Sequence, residues 1–333
     1  MLIKQSLPAA LLLLMLLLNS AHAQELKLAT LAPDGSSWMN SFRAAADAVN
    51  EQTEGTVRIR FYPGGVMGDA STVMRRIRLG QLHGGAFTLG DLAVVAPETN
   101  LYSLPFQFRN TEELNALREE FDPFILNALR EAGMVAPAVS AGGFAYLFST
   151  DSIASAEDVS SGLRVWAPEG DDLSRRVLER IGATAVPLSM AEVYTGLQTG
   201  TINTFANTPS GAIILQWHSR ASHMLDLPVL MTFGTIAVDR RSFERLSESH
   251  QEIFLREVGN AIREQEVSVD EENQSARAAL GGQGIEIVAP VEADVETWQR
   301  LSNEVLDEML SAGDIEVPGL DRLQSRLSEL RQQ

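Results

Sequence analysis

The stretch G-L-R-V-W-A-P-E-G-D-D from Gly162 to Asp172, continued by R-I-G-A-T-A-V-P-L-S-M-A-E-V-Y-T-G-L-Q-T-G-T-I-N-T-F-A-N from Arg180 to Asn207, decides the fold of this chain. Leu163 to Trp166 is short and apolar-rich and reads as a strand. Leu173, Val177, Leu178 and Ile181 recur at helical spacing. Gly182 stands where a helix C-cap glycine belongs. Ala185 to Leu188 reads as a second strand, Ala191 to Thr199 as a second helix ended by Gly200, and Ile202 to Asn207 as a third strand. Strands that alternate with helices make parallel β-α-β units, and such sheets take ligands at the carboxyl ends of their strands. The expected class is α/β.

Working outward, the chain has 333 residues, enough for one large two-lobed domain or two domains. It has no cysteine, which excludes disulfides, zinc–thiolate sites, cysteine nucleophiles and lipid attachment to a cysteine. Its formal charge is −18, from 44 acidic and 26 basic residues. That balance argues against nucleic acid or an anionic membrane surface as partner. Residues 1–23 read as a cleaved targeting segment: Lys4, the Leu/Ala run from Ala9 to Leu18, then Ala21-His22-Ala23 before Gln24. A soluble protein exported to the periplasm is expected.

On the N-terminal side, Glu25 to Thr30 alternates as a strand, and Ser36 or Ser37 is a natural N-cap for a helix carried by Trp38, Phe42, Ala45, Ala46 and Val49. The loop around Asp34 either offers backbone N–H groups to an anion or is an ordinary helix entry. Val57 to Tyr62 is a strand, Gly64 to Asp69 a glycine-rich turn, Ser71 to Leu79 a helix, and Gly84 to Leu89 a strand that delivers Gly90-Asp91 to a possible cleft edge. Leu104-Pro105-Phe106 and Phe108 read as core. Thr111 to Ala132 is a helix and Val135 to Val139 a strand. Gly142-Gly143-Phe144 leads into a strand at Tyr146 to Ser149. On the C-terminal side, Gly234 to Asp239 reads as a strand. A helical pattern capped by Ser247 or Ser249 runs to about Gly281, either unbroken or interrupted near Gly259. Two amphipathic helices follow, the last carried by Leu320, Leu323, Leu327 and Leu330.

Catalytic signatures are missing: the chain has no G-x-S-x-G, H-E-x-x-H, P-loop or C-x-x-C. His218 and His223 are five apart without a carboxylate at ligand spacing, so no metal site is expected. Glu169 with Asp171-Asp172 is either a carboxylate cluster or a solvated helix entry.

Gly162-x-x-x-x-x-Pro168, Gly182-Ala183, Pro187-Leu188-x-x-x-Glu192-Val193-Tyr194-x-x-Leu197-Gln198-x-Gly200 and Asn207 resemble the solute-binding proteins of tripartite ATP-independent periplasmic (TRAP) transporters. Phe61-Tyr62-Pro63 with Gly68, Leu79-Gly80-Gln81, Ala96-Pro97-Glu98 and Leu104-Pro105-Phe106-x-Phe108-Arg109 extend the resemblance over nearly the whole chain after residue 23. It implies a two-lobe periplasmic-binding-protein fold, each lobe a sheet flanked by helices, with a ligand cleft between the lobes and a long C-terminal helix spanning both. One lobe would hold 24–143 plus about 231–265, the other 144–230 plus about 266–333. The implied function is capture of a small organic acid or related molecule by lobe closure and its delivery to the small and large permease subunits. No cofactor is implied, a monomer is expected, and sensing for a membrane receptor is the alternative. In the family an arginine two residues before the strand's proline clamps a substrate carboxylate. Here that position is Trp166, and Arg164 lies two residues earlier on the same strand face. Asn207 falls where the family has its cleft asparagine, and Met190 where many members have a pocket aromatic. With Asp34, Gly90, Phe144 and Glu169, these residues form the expected ligand-contacting set.

Overall fold

The computed structural model describes residues 23–160 and 162–332, so the targeting segment, Ala23 excepted, lies outside the described residues. The N-terminal half is built on three parallel strands, β1 (Gln24–Ala29), β2 (Val57–Tyr62) and β3 (Gly84–Thr88). Helices α1 (Ser37–Gln52) and α2 (Ala70–Arg78) connect them. Each helix begins on a side-chain cap: Ser36 accepts from the Met39 N–H at 3.2 Å, and Asp69 from the Thr72 N–H at 2.7 Å. Helix α3 (Thr111–Glu131) covers one face of this sheet, burying Leu114, Leu117, Phe121 and Ile125.

The short strand β4 (Met134–Val135) precedes the long strand β5 (Ser140–Ser149). The second half then repeats the β-α-β pattern with β6 (Arg164–Pro168), α4 (Asp172–Arg180), β7 (Thr184–Leu188), α5 (Val193–Thr199) and β8 (Thr204–Asn207). Gly200 ends α5 at φ 73°, in the left-handed region that suits glycine. β6 lies parallel to β7 and β8, as the alternation of the sequence implies.

Strands β9 (His223–Leu225), β10 (Leu230–Asp239) and β11 (Glu286–Val288) complete the set. The main path runs β2-β1-β3-β10-β5-β8-β6-β7. β5 and β10 join the halves: β10 pairs antiparallel with β3 over Gly234–Val238 and with β5 over Leu230–Gly234, while the far end of β5 pairs with β8. The glycines Gly142 and Gly143 therefore lie inside a strand rather than in a turn before one. Gly143 has φ 96°, and a Cβ on Gly142 would stand 2.6 Å from the Thr232 hydroxyl, so the crossing closes only around glycine. The ladder is irregular at this level, between Thr232 and Phe233.

The long helix is present in two nearly continuous parts, α6 (Glu248–Val267) and α7 (Val269–Gly282), together about 50 Å long. Its break is at Ser268 and not at Gly259, which sits buried within α6 with Pro137 close by. α6 packs on the N-terminal half and α7 on the C-terminal half, so Ser268 lies between them. Helix α8 (Glu292–Ala312) packs on α4, but the last helix, α9 (Leu320–Leu330), returns to α3, with Arg331 on Glu113 and Arg322 on Glu120. Sequence order had grouped this terminal segment with the second lobe; its apolar stripe of Leu320, Leu323 and Leu327 joins a core that takes in Leu117 and Phe121 of α3 as well as Leu173 of α4 and Met309 of α8.

Candidate functional site

Both halves deliver the carboxyl ends of their parallel strands to one cavity of about 300 Å³. β3 runs into Thr88, Gly90 and Asp91. The turn after β2 brings Asp69. β6 brings Trp166, Pro168 and Glu169, β7 brings Ser189 and Met190, and β8 brings Asn207. The crossing strand β10 contributes Met231, Thr232 and Phe233. This is the place where open α/β sheets take ligands.

Trp166 forms a wall of the cavity. It is 7% exposed, its indole N–H donates to the Leu188 carbonyl at 2.9 Å, and Trp217 meets it edge-on at 5.3 Å. Those two contacts hold the ring in one orientation. Asn207 ends β8; its Oδ1 accepts from the Thr208 N–H at 2.8 Å, and its Nδ2 makes no hydrogen bond among the described residues. Met190, Gly90 and Glu169 also line the cavity.

Three expected contacts are not part of this lining. Arg164 is the first residue of β6, so although it shares a face with Trp166 it lies about 6.6 Å back along the strand, away from the carboxyl end. There its Nε donates to the Gly200 carbonyl at 3.2 Å, and its backbone N–H donates to Asn203 at 2.8 Å. Asp34 is exposed and ion-paired with Arg43, whose hydrogen bond holds the carboxyl below its ordinary range. Phe144 packs on the core of the N-terminal half, because strand alternation gives the cavity face of β5 to Ala145 and Leu147.

Four further residues stand in the cavity wall: Phe106, which the sequence reading gave to the core, and three aspartates that it left aside or left open. Phe106 adopts φ 56°, unusual for a bulky residue, and its N–H donates to the Val229 carbonyl at 2.8 Å. This fixes the loop over the cavity; Leu104 and Phe108 on either side are core, as expected. Asp69, Asp91 and Asp171 are helix-entry carboxylates. Asp91 and Thr88 form a reciprocal cap, and Asp171 accepts from Ser174 N–H and hydroxyl at 2.9 and 2.6 Å. A helix entry was read from the sequence at Asp171 alone; Asp69 was read as the end of a turn and Asp91 as a possible cleft edge, and their shared cavity depends on long-range packing.

Burial raises the Asp91 carboxyl above its ordinary range, against the hydrogen bonds from Thr88, and burial raises Asp171 likewise against those from Ser174. At Asp69 burial also acts upward, but the hydrogen bonds from Thr72 and Ser71 outweigh it and lower the carboxyl. Among the described residues no lysine, arginine or histidine lines the cavity, and none of Asp69, Asp91, Glu169 and Asp171 makes an ion pair. The deep end is apolar, with Ile153, Val159, Leu225 and Leu227. Trp298 bounds it at 4% exposure, with no partner for its indole N–H among the described residues.

Residues 28–312 match the model of the bacterial extracellular solute-binding proteins, family 7. A solute-binding protein of Chromohalobacter salexigens is 27% identical over 249 residues, 73% of this chain and 72% of that protein. The 2,3-diketo-L-gulonate-binding periplasmic protein of Escherichia coli is 21% identical over 271 residues, 78% and 79% of the two chains. The crystal structure of a TRAP periplasmic solute-binding protein from Sulfitobacter with bound β-D-galacturonate superposes with TM-score 0.81 at 23% identity, covering 91% of this chain and 99% of that one. The fold is thus the two-lobe fold of TRAP solute-binding proteins, and the chain belongs to family 7 of the bacterial extracellular solute-binding proteins.

Proposed function

We propose that this protein is the periplasmic solute-binding component of a TRAP transporter, taking up a small organic acid or related small molecule and handing it to the small and large permease subunits. The observation that carries this reading is the convergence of strand ends from both halves on one cavity, with β5, β10, the α6–α7 helix and the segment between α8 and α9 joining the halves. Relatives named for 2,3-diketo-L-gulonate and β-D-galacturonate support a ligand of sugar-acid size. In this reading residues 24–142, about 233–267 and the terminal helix form one lobe, and 144–230 with about 269–312 form the other.

The joint lies where β5, β10 and the long helix change sides. Asn273 donates to the Gly142 carbonyl at 3.1 Å and accepts from the Ser210 N–H and hydroxyl at 3.1 and 2.9 Å, while Thr232 donates to the Gly143 carbonyl at 2.9 Å. Rotation about Gly142-Gly143, Thr232 and Ser268 would close Trp166 and Asn207 toward Asp69 and Asp91. The test is a thermal-shift screen of small molecules, followed by recovery of the bound molecule. At 100 times its dissociation constant a ligand stabilises by about 2.7 kcal/mol. Recovery of the ligand intact, and its uptake by liposomes carrying both permease subunits, is the expected result. Conversion of the ligand, or uptake indifferent to this protein, would overturn the reading.

A further inference from the structure

The cavity reverses the electrostatics of a carboxylate clamp. A guanidinium fork is the side chain best shaped to hold a carboxylate. Yet among the described residues the lining offers no basic side chain, and Trp166 stands where the fork was expected. In its place are carboxylates on both walls: Asp69 and Asp91 from the N-terminal half, Glu169 and Asp171 from the C-terminal half. Bringing the walls together around an anion would set that anion against four carboxylates with no opposing cation. Bringing them together around a cation would relieve the same repulsion. The rest of the chain supplies the means for cationic pairing elsewhere: Arg118, Arg175, Arg176, Arg180 and Arg277 all pair with acids outside this lining.

The lining also defines the remainder of the ligand. Trp166 offers an aromatic wall that attracts a cation through its π face and excludes water from it. Ile153, Leu225 and Leu227 add apolar lining, and the buried Trp298 indole N–H, without a partner among the described residues, is one donor left for a polar atom of the solute. Such a space favours a body without dense hydroxylation. Fully hydroxylated sugar acids would leave their hydroxyls unpaired along that wall. The overall charge of −18 adds a field that draws cations toward the molecule.

We infer that the cleft selects a solute carrying an ammonium group, primary or quaternary, on a compact apolar or aromatic body, with Asp91 and Asp69 facing the charge and Trp166 covering it. This rests on the transporter reading and sets its solute among the related small molecules in place of an organic acid.

The test is calorimetric titration of the purified protein with charge-matched pairs: benzyltrimethylammonium and phenethylamine against phenylacetate and 3-phenylpropionate, with D-glucuronate as the sugar acid. The account expects at least one ammonium probe to bind at least about tenfold tighter than its matched carboxylate and than D-glucuronate, the factor of one opposed charge at a screened site. Asp91→Asn keeps an acceptor for the Thr88 N–H and removes the charge; it should weaken the ammonium probe about tenfold or more without lowering the melting temperature of the free protein. Tighter binding of D-glucuronate or phenylacetate would overturn the inference and leave solute capture standing. Failure of all probes would also overturn it, and solute capture is then decided separately by whether an intact small molecule co-purifies. Unchanged ammonium binding in Asp91→Asn would remove the carboxylate from the account.

Discussion

The first lobe's side of the joint and the cleft that the lobes enclose use charge in opposite ways. At the joint, Arg118 donates to Asp122 at 2.9 Å, to the Val139 carbonyl at 2.8 Å and to Glu266 on the long helix, and Asp122 also accepts from the Tyr102 hydroxyl at 2.8 Å. Burial opposes the Arg118 charge, but its two carboxylates outweigh that and hold it protonated. In the cleft, carboxylates of comparable burial meet backbone N–H groups and hydroxyls and no guanidinium. Matched charge ties α3, the β4–β5 connection and α6 into one unit. Unmatched charge leaves the cleft walls with interactions to offer a solute.

The largest expected effect comes from a bulky side chain that belongs to both a core and the cleft wall. Trp166→Ala removes a 93%-buried indole, 7% of it exposed, from contact with Trp217 and Leu188. It should cost about 3–5 kcal/mol in urea unfolding, along with loss of binding. A loss below about 1 kcal/mol would mean that the ring is not packed as described.

At the joint, Arg118→Ala strands Glu266 and Asp122 with no guanidinium, and about 3 kcal/mol of stability should be lost. A double variant that also replaces Glu266 with Gln should recover part of that loss. If the single variant is as stable as the parent, the joint is not held by this pairing, and the contrast with the cleft disappears.

Asn207→Ala should leave stability nearly unchanged and reduce ligand affinity by about 1–3 kcal/mol if the amide, which lines the cavity, pairs with the solute. Affinity within about twofold of the parent would take Asn207 out of the site. The smallest effect is expected from Arg164→Lys. An exposed side chain bonded to the Gly200 carbonyl at the far end of β6 should change stability by less than about 0.5 kcal/mol and leave binding alone. Strong weakening of binding would show that the guanidinium reaches the ligand after all.

The contrast also explains what could be read from the chain. Gly162 to Asn207 was legible as strand–helix–strand–helix–strand because its apolar spacing and its two terminating glycines are local signals. So were the caps at Ser36 and Ser247, which lie within three residues of the N–H groups they satisfy. The second lobe's share of the cavity followed from the same stretch, through the ends of β6, β7 and β8. The strand character of Gly142-Gly143 was not legible, since it comes from pairing with Thr232 some 90 residues away and glycine by itself signals a turn. The break at Ser268 rather than Gly259 was hidden because helix breaks follow tertiary packing as well as propensity. Arg164 was misplaced because alternation fixes a strand face and says nothing about distance along the strand. Phe106 escaped because a left-handed backbone at phenylalanine is imposed by its bond to Val229 and has no sequence signature.

The central claim is that two lobes joined through β5, β10 and Ser268 close on a solute held at the strand ends. Small-angle X-ray scattering of the protein, alone and saturated with the strongest hit of the thermal-shift screen, tests it most directly. The account predicts a smaller radius of gyration and a shorter maximum dimension with saturating ligand, and in Asn207→Ala the same change reached only at higher ligand concentration. Superimposable scattering curves with and without saturating ligand would contradict it.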